Sequence, residues 1–276
     1  MILSFHPCFV ADKNIICAGR KPGRDELEQI SLADAVILSQ GCREDLYFMA
    51  RDNCKNVFPN YDARFKYPGK TGQILLFQNT GVAHPVTGTY RKVSALYDSY
   101  GKVSDGKLPF PYPFVFKLDW GGEGEAVYLI ENLSDFEQTL KKAKEFENTG
   151  QNGFLLQEYI PSDNRSLRVA LIGEKLISYW RVQENSDNFR AGLSQGAVAD
   201  FESDPELIKS AERDVIEFSK KTGINLAGFD FIFSPEKNNK PLFLEINYFF
   251  GRKGLGGSEK FYKILNGEIR KWLKSL

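Results

Sequence analysis

The chain has 276 residues, 42% apolar and 13% aromatic, which suffices for one large domain or two to three small lobes. Its 36 basic and 36 acidic residues balance, which argues against nucleic acid or anionic membranes as partners. No apolar run approaches the roughly 18–20 residues of a membrane span and residues 1–7 do not resemble a signal peptide, so we expect a cytoplasmic protein.

Residues 1–61 alternate short apolar runs with helical patterns and predict a small α/β lobe with a parallel sheet. Strands are predicted at 2–5, 15–18, 35–38 and 57–58, and helices at 24–32 and 42–53. All four cysteines lie in this segment, and none belongs to a C-x-x-C pair. We interpret them as reduced thiols and expect neither a zinc site nor a disulfide framework.

Residues 62–109 are predicted to be a connecting, largely helical segment, with a helix from about Lys70 to Gly81. Residues 110–160 predict a second lobe with strands at 114–117, 126–130 and 154–157. Its helix has one apolar face, and Ser134 with Glu137 predicts a capping box at its start.

Residues 161–276 predict a third lobe that ends in a long amphipathic helix from Ser258. A hairpin is expected around Gly173, and a helix is expected from Pro205 to Gly223. Strands at 229–233 and 242–246 are expected to pair. We find no internal repeat.

Lys117 ends an apolar strand and precedes the glycine-rich stretch Gly121, Gly122, Glu123, Gly124. A lysine in this position can place its ammonium on phosphate oxygens while the loop's N–H groups close over them. The stretch is not a Walker A motif, because it lacks G-K-[ST]. Taken alone, it is more typical of a hairpin turn beside a solvated lysine.

Two further segments carry groups suited to a nucleotide and its metal ion. Residues 157–161 are the end of a strand and are bounded by Pro161. The free backbone groups of this strand end could pair with a purine edge, or the strand could simply lead into a linker between lobes. Glu245 and Asn247 lie two apart on one strand face, and Asp230 joins that face if the two strands pair. Such oxygens suit Mg²⁺, although surface carboxylates on an edge strand are the simpler alternative.

Three arginines lie on or beside the predicted hairpin of the third lobe: Arg168, Arg181 and Arg190. Guanidinium groups match phosphate and carboxylate geometry, and they also form ordinary salt bridges with nearby acids. Because they are close in sequence to the proposed metal site, a functional role and ordinary salt bridges both remain open for them.

In order and spacing these residues resemble the ATP-grasp superfamily, and within it the RimK-type branch of ribosomal-protein glutamate ligases and relatives of glutathione synthetase. The resemblance covers about residues 62–260 and also includes His84-Pro85-Val86-Thr87 and Ala227-Gly228-Phe229-Asp230. It implies an ATP-grasp fold of the α/β class, with a small N-terminal pre-grasp lobe and ATP bound between two α+β lobes. We expect the reaction to phosphorylate a carboxylate and then form an amide with an amine.

The resemblance also implies the roles of particular residues. Those implied to bind ATP are Lys70, Lys117, Gly121, Gly122, Gly124, Gln157, Glu158, Tyr159, Ile160 and Asp163. Asp230, Glu245 and Asn247 are implied to bind one or two Mg²⁺, with Mn²⁺ as an alternative. Arg190 is implied to steady the transferred phosphoryl group, and Arg168 and Arg181 are implied to line the acceptor site. The acceptor is a small molecule, a peptide or a protein tail, and an oligomer is possible.

The chain departs from the family pattern mainly where substrate would bind. The departures are Glu123, Glu125 and Ala126 in or after the loop, Ser166 in place of an acid, Ala191-Gly192 after Arg190, and residues 248–251 after Asn247. They indicate altered substrates rather than loss of ATP binding. His6 either faces the substrate or is a strand-end histidine. An ATP-grasp kinase and a nucleotide-binding module without turnover remain as alternatives to the ligase.

Overall fold

A computed structural model describes residues 1–101, 107–121, 126–183 and 196–276, in which the strands form three sheets. The N-terminal sheet is parallel, with strand order β2-β1-β3-β4. Its elements are β1 (Ile2–Ser4), β2 (Lys13–Asn14), β3 (Ala35–Ile37), β4 (Val57–Phe58), α1 (Arg24–Ser31) and α2 (Glu44–Asn53). The apolar strands β3 and β4 are reached through α1 and α2, as expected of crossover connections between parallel strands.

The second sheet is antiparallel, in the order β5-β8-β6-β7. Its elements are β5 (Thr87–Tyr90), α5 (Val93–Tyr100), β6 (Phe114–Leu118), β7 (Val127–Ile130), α6 (Leu133–Asn148) and β8 (Phe154–Glu158). Aromatic rings fill the layer between this sheet and α6. Phe116 stacks on Phe154 with ring centroids 4.8 Å apart, and Phe136 meets Phe114 edge-on at 5.1 Å.

The third sheet is antiparallel, in the order β11-β10-β9-β12-β13, and holds most of the candidate site. Its elements are β9 (Arg165–Ile172), β10 (Lys175–Val182), β11 (Val198–Asp200), α7 (Pro205–Thr222), β12 (Leu226–Phe233), β13 (Pro241–Asn247) and α8 (Gly257–Lys274). One face, with Val169 and Phe229, packs in a single core with α7. The other face, with Ala170 and Leu226, packs against α8. The charged side chains lie on this second face, beyond the helix.

Two helices connect the N-terminal sheet to the rest: α3 (Asp62–Lys66) and α4 (Gly69–Thr80). The buried residues of α4, among them Ile74 and Phe77, belong to the core of the third sheet. The Gln73 side chain completes two backbone bonds of β13, because its amide donates to the Ile246 carbonyl at 2.8 Å and its oxygen accepts from the Ile246 N–H at 2.8 Å. Therefore α4 is fixed directly to the strand that carries Glu245 and Asn247.

Most predicted elements are present, with two errors of position. The strand predicted at residues 15–18 instead occupies Lys13–Asn14, because Leu3 and Ser4 pair with these polar residues. The predicted Ser134–Glu137 capping box is also wrong, because Asn132 is the N-cap of α6 and accepts from the Asp135 N–H at 3.0 Å. Both misplacements are short shifts along the chain within regions that the sequence identified correctly.

Two strands, β5 and β11, were not predicted from sequence, and the helices α3 and α5 lie within the segment 62–109 that was predicted as helical without their bounds. The strand β5 lies within the range predicted as a helical connection, yet it pairs with β8 along its whole length. It contains Gly88 and alternates weakly, so its strand character comes from the pairing. The predicted lobe boundaries remain predictions. In the described ranges no helix is both long and apolar enough to cross a membrane.

Candidate active site

Lys117 lies in β6 with its side chain almost fully buried, at 9% residue exposure. Its ammonium donates to the Gln157 side-chain oxygen at 2.8 Å. Burial lowers the pKa of Lys117 to about 8; Glu245 and Asp230 oppose this shift and Lys70 adds to it. The structure therefore brings together two lysines and two carboxylates that are far apart in sequence.

Gln157 positions Lys117 through its side chain. Its amide nitrogen donates to the Thr87 hydroxyl at 2.9 Å, and that hydroxyl donates to the Pro85 carbonyl at 2.8 Å. This chain of hydrogen bonds fixes the amide so that its oxygen faces the lysine. The sequence indicated Gln157 as part of a strand end, but gave no signal that its side chain meets Lys117.

Lys70 lies in the first turn of α4 and is equally buried. Its ammonium donates to the carbonyl of Gly121 at 2.7 Å, at the base of the glycine-rich loop. Lys70 therefore reaches the loop that follows Lys117, where the resemblance implies that phosphates bind.

Asp119 holds the start of α4 against the end of β6. It accepts from the Thr71 N–H at 2.7 Å and from the Thr71 hydroxyl at 3.0 Å, so it caps a helix from a distant segment. Gly69 has φ +70°, and a Cβ there would lie 2.6 Å from Asp119 Oδ1, so no side chain fits. Their contact was not predicted from sequence, because it spans fifty residues.

The predicted adenine edge follows the end of β8. Glu158 is tied to Val86 by two bonds, since its backbone N–H donates to the Val86 carbonyl at 2.9 Å and its carboxylate accepts from the Val86 N–H at 2.7 Å. The Ile160 side chain is buried against Ile232 and Leu242. Within the described ranges, no acceptor lies within hydrogen-bonding distance of the Ile160 N–H, so this group can receive a ligand.

Tyr159 and Asp163 complete the predicted nucleotide segment. Tyr159 is half-buried, and Asp163 is exposed in the left-handed conformation with φ +48° at the turn into β9. Gly122, Gly124 and Arg190 lie outside the described residues, as do Glu123 and Glu125.

The third sheet aligns three charged residues in one row. Arg168 of β9 lies opposite Asp230 of β12, and Asp230 lies opposite Glu245 of β13. Arg168 forms a two-pronged ion pair with Asp230, through Nε to Oδ1 and through Nη2 to Oδ2 at 2.9 Å. Both side chains are less than a tenth exposed. Asp230 is therefore not a surface carboxylate on an edge strand, and Arg168 forms the salt bridge with a nearby acid that was the alternative to a functional role.

A second arginine reaches the same carboxylate. Arg181 Nη2 lies 3.1 Å from Asp230 Oδ1 and donates to the Ser166 hydroxyl at 2.7 Å. Although burial opposes ionisation, Arg168 and Arg181 hold the pKa of Asp230 below its ordinary value. Because Ser166 is uncharged, Asp230 is the carboxylate that both guanidinium groups share.

The predicted metal ligands are adjacent, but not equally available. Asn247 donates from its amide nitrogen to Asp230 Oδ2 at 3.1 Å, so Asp230 has three partners. Glu245 is half-buried, and in the part of the chain that the structure describes no donor lies within hydrogen-bonding distance of it. Two carboxylates opposite each other on one sheet favour a cation between them. The described residues contain no cluster of three or more His, Cys, Asp and Glu suited to a metal, so the candidate set is two carboxylates and an amide.

His6 lies just beyond β1 and is 4% exposed. Burial, with a smaller contribution from Arg252, lowers its pKa to about 4, so the ring is neutral near pH 7. His6 is therefore a buried residue at a strand end, and the interpretation that it faces the substrate stays a prediction.

Comparison with known proteins gives one family and a consistent fold. A family model described as the RimK-like ATP-grasp domain matches residues 70–273. A probable alpha-L-glutamate ligase 2 of Shewanella baltica is 30% identical over 193 residues, which are 68% of this chain and 58% of that protein. A probable alpha-L-glutamate ligase of Azotobacter vinelandii is 29% identical over 190 residues, 67% of this chain and 57% of that protein. The chain thus spans less than three fifths of these relatives.

Solved structures with low sequence identity share the fold. A RimK domain ATP-grasp protein from Sphaerobacter thermophilus gives a TM-score of 0.60 at 13% identity, covering 97% of this chain and 98% of that one. A D-alanine–D-alanine ligase from Bacillus anthracis gives 0.60 at 13% identity, covering 94% and 84%.

Proposed function

The chain belongs to the RimK-like ATP-grasp family, and on that premise we propose that it is an ATP-dependent carboxylate–amine ligase. The observation that supports this most is the convergence of Lys70, Asp230 and Glu245 on the Lys117 ammonium, whose pKa the two carboxylates raise and Lys70 lowers. Cations for phosphates and carboxylates for a metal ion occur side by side, as phosphoryl transfer from ATP requires.

The nucleotide is proposed to bind between the second and third sheets. Lys70 and Lys117 hold phosphate oxygens, with Gln157 fixing Lys117 through a 2.8 Å hydrogen bond. The Ile160 N–H receives the adenine edge, because it makes no internal backbone bond among the described residues. These buried groups are already positioned before ATP arrives, so little ordering accompanies the binding.

The oxygens of Glu245, Asn247 and Asp230 fit Mg²⁺, which is a hard cation with oxygen ligands. Glu245 is the most available of the three, whereas Asp230 must share its oxygens with Arg168 and Arg181. A bound Mg²⁺ would neutralise part of the negative charge of the phosphates. Arg168 and Arg181 bring further positive charge to the same place and can face the transferred phosphoryl group or the substrate carboxylate.

The proposed chemistry has two steps. A substrate carboxylate oxygen forms a bond to the γ-phosphorus of ATP while the bond to the β-phosphate oxygen breaks, giving an acyl phosphate and ADP. The amine nitrogen then bonds to the acyl carbon, the bond to phosphate breaks, and the nitrogen loses a proton. Charge neutralisation and positioning by the named residues suffice for both steps, since no protein nucleophile is required.

We further propose that one organic substrate is an amino acid, and glutamate is the first to test because the relatives carry that name. Its partner is a small molecule, a peptide or a protein tail. Measuring ADP release in the presence of each of these three classes identifies which one the protein uses.

The test begins with calorimetric titration of ATP with and without Mg²⁺, followed by ADP release in the presence of L-glutamate and pooled acids or amines. We expect Mg²⁺ to strengthen ATP binding, and expect Lys117→Ala and Glu245→Gln to reduce turnover at least about a hundredfold. Lys141→Ala, on the exposed face of α6, is the matched control. Turnover undiminished in both site variants would contradict the proposal, and a phosphorylated product without an amide would indicate a kinase instead.

A further inference from the structure

Four polar contacts from three side chains already engage the carboxylate of Asp230. Arg168 reaches both oxygens, through Nε to Oδ1 and through Nη2 to Oδ2 at 2.9 Å. Arg181 Nη2 lies 3.1 Å from Oδ1, and the Asn247 amide donates to Oδ2 at 3.1 Å. Each oxygen therefore has two partners, which fills the lone-pair sites of an ionised carboxylate.

The Asp230 carboxylate is also closed off from water. Its side chain is 6% exposed and that of Arg168 is 8% exposed. A metal ion can therefore bind Asp230 only if a guanidinium group moves away from it. Separating a buried ion pair without a replacement for either partner is strongly destabilising, so the arginines stay in place until new partners arrive.

Arg181 has no second carboxylate to which it could move. It lies opposite Ser166 in the pairing of β9 with β10, and the Ser166 hydroxyl accepts from Arg181 Nε at 3.2 Å and from Nη2 at 2.7 Å. A hydroxyl carries no charge. Among the residues described by the structure, Asp230 is the one carboxylate within ion-pair distance of Arg181.

Without nucleotide, the site carries more positive than negative charge. In the described ranges its four cations outnumber its two carboxylates, and these groups are Lys70, Lys117, Arg168, Arg181, Asp230 and Glu245. Burial lowers the pKa of Lys117 and opposes ionisation of Arg168, while Glu245 is close enough to raise the pKa of both. A divalent cation that enters alone therefore meets net repulsion, which the negative phosphates of ATP reverse.

We propose that Arg168 and Arg181 exclude metal ions from Asp230 until ATP binds. The phosphate oxygens of ATP then accept the two guanidinium groups, and Asp230 becomes free to bind Mg²⁺ beside Glu245. Each charged group exchanges one partner for another of the same sign, so none is left buried and unpaired. This inference rests on the proposed function, because it assigns the order in which that site takes up nucleotide and metal.

The test is titration of the full chain with Mn²⁺ in the absence of nucleotide, with free Mn²⁺ measured by electron paramagnetic resonance. We expect weak binding to the wild type, and expect Arg181→Gln to bind Mn²⁺ at least about tenfold more tightly, because one oxygen of Asp230 becomes free and a positive charge is lost. Lys117→Met removes one positive charge but leaves Asp230 paired, so it should tighten binding less. Arg165→Gln removes an arginine from the opposite face of β9, where it pairs with Asp204, and should have no effect.

A second variant gives the same test without deleting an arginine, in case Arg181→Gln melts early. Ser166→Asp adds a carboxylate opposite Arg181 that competes with Asp230 for this guanidinium. We expect nucleotide-free Mn²⁺ binding to tighten severalfold. Ser166→Asn adds similar volume without charge, and should leave Mn²⁺ affinity as in the wild type.

Two results would overturn the proposal. One is Mn²⁺ affinity that is unchanged or weaker in both Arg181→Gln and Ser166→Asp, and the other is equal tightening by Lys117→Met and Arg181→Gln. The titration contains neither ATP nor an organic substrate, so it is independent of the ADP-release assay that tests the ligase. A ligase without this exclusion would release ADP and show unchanged Mn²⁺ binding in these variants.

Discussion

At the scale of single residues, Lys117 is the group whose environment most directly predicts a pH dependence. Because burial lowers its pKa to about 8, the free protein loses the ammonium form as pH rises through 8. Bound phosphate favours the ammonium, so ATP affinity should fall by about tenfold between pH 7.5 and 9.5. Calorimetry across this range checks the expectation, and Lys117→Met should remove the slope. A flat wild-type profile would contradict it.

The pH dependence that Lys117 gives to folding stability is opposite in sign to the one it gives to ATP binding. The folded-state pKa of Lys117 lies below the 10.5 of an ordinary lysine, so the unfolded chain binds more protons between these values. Burying the ammonium therefore opposes folding below pH 8, and this opposition fades as pH rises from 8 towards 10.5. The contacts of the folded protein around Lys117 therefore offset the free-energy cost of keeping its ammonium buried and ready for phosphate.

The Arg168–Asp230–Arg181 cluster gives a second prediction at this scale. Asp230→Asn leaves two buried guanidinium groups without their shared carboxylate, and should lower the free energy of unfolding by about 3–5 kcal/mol. Asp204→Asn removes a carboxylate from the more exposed pair with Arg165, and should cost at most about 1 kcal/mol. Denaturant melts of both variants compare them, and equal losses would show that Asp230 does not neutralise the arginines.

At the scale of elements, the N-terminus of α4 depends on a cap from another segment. Asp119→Ala removes both bonds to Thr71 and should cost about 1 kcal/mol of stability. It should also weaken ATP binding severalfold, because Lys70 lies in the turn that Asp119 fixes. Asn132→Ala removes the cap of α6, so it should cost similar stability and leave ATP affinity unchanged. An unchanged ATP affinity in Asp119→Ala would refute the positioning role.

The whole molecule is organised around α4, which touches the loop of the second sheet through Lys70 and β13 of the third sheet through Gln73. Gln73→Leu removes both bonds to Ile246 while keeping volume, so exchange of the Ile246 amide hydrogen should accelerate. The strengthening of ATP binding by Mg²⁺ should diminish as well, since Glu245 and Asn247 flank Ile246. Gln78→Leu, on the exposed side of α4, is the control. Exchange of the Ile246 amide hydrogen as slow as in the wild type would show that Gln73 does not fix α4 to β13.

The local sequence determined where most helices and strands lie. The apolar periodicity indicates the elements, and helix ends are indicated by single residues, which are Pro205, Gly81 and Gly223. Both signals depend only on neighbours a few positions away. It also determined which chemical groups are present, because a lysine before a glycine loop and the Glu245–Asn247 spacing are read directly from the chain. The strand β5 escaped prediction, because its residues have weak strand preference and are held by pairing with β8.

Only the tertiary structure decided how these groups meet. The capping of α4 by Asp119 and the hydrogen bond from Lys117 to Gln157 each join residues separated by forty positions or more. Asp230 was predicted from the sequence as a metal ligand, and the fold surrounds it with Arg168, Arg181 and Asn247. Such contacts depend on which strands become neighbours and on which groups must find partners when water is removed, and neither is encoded within a local window.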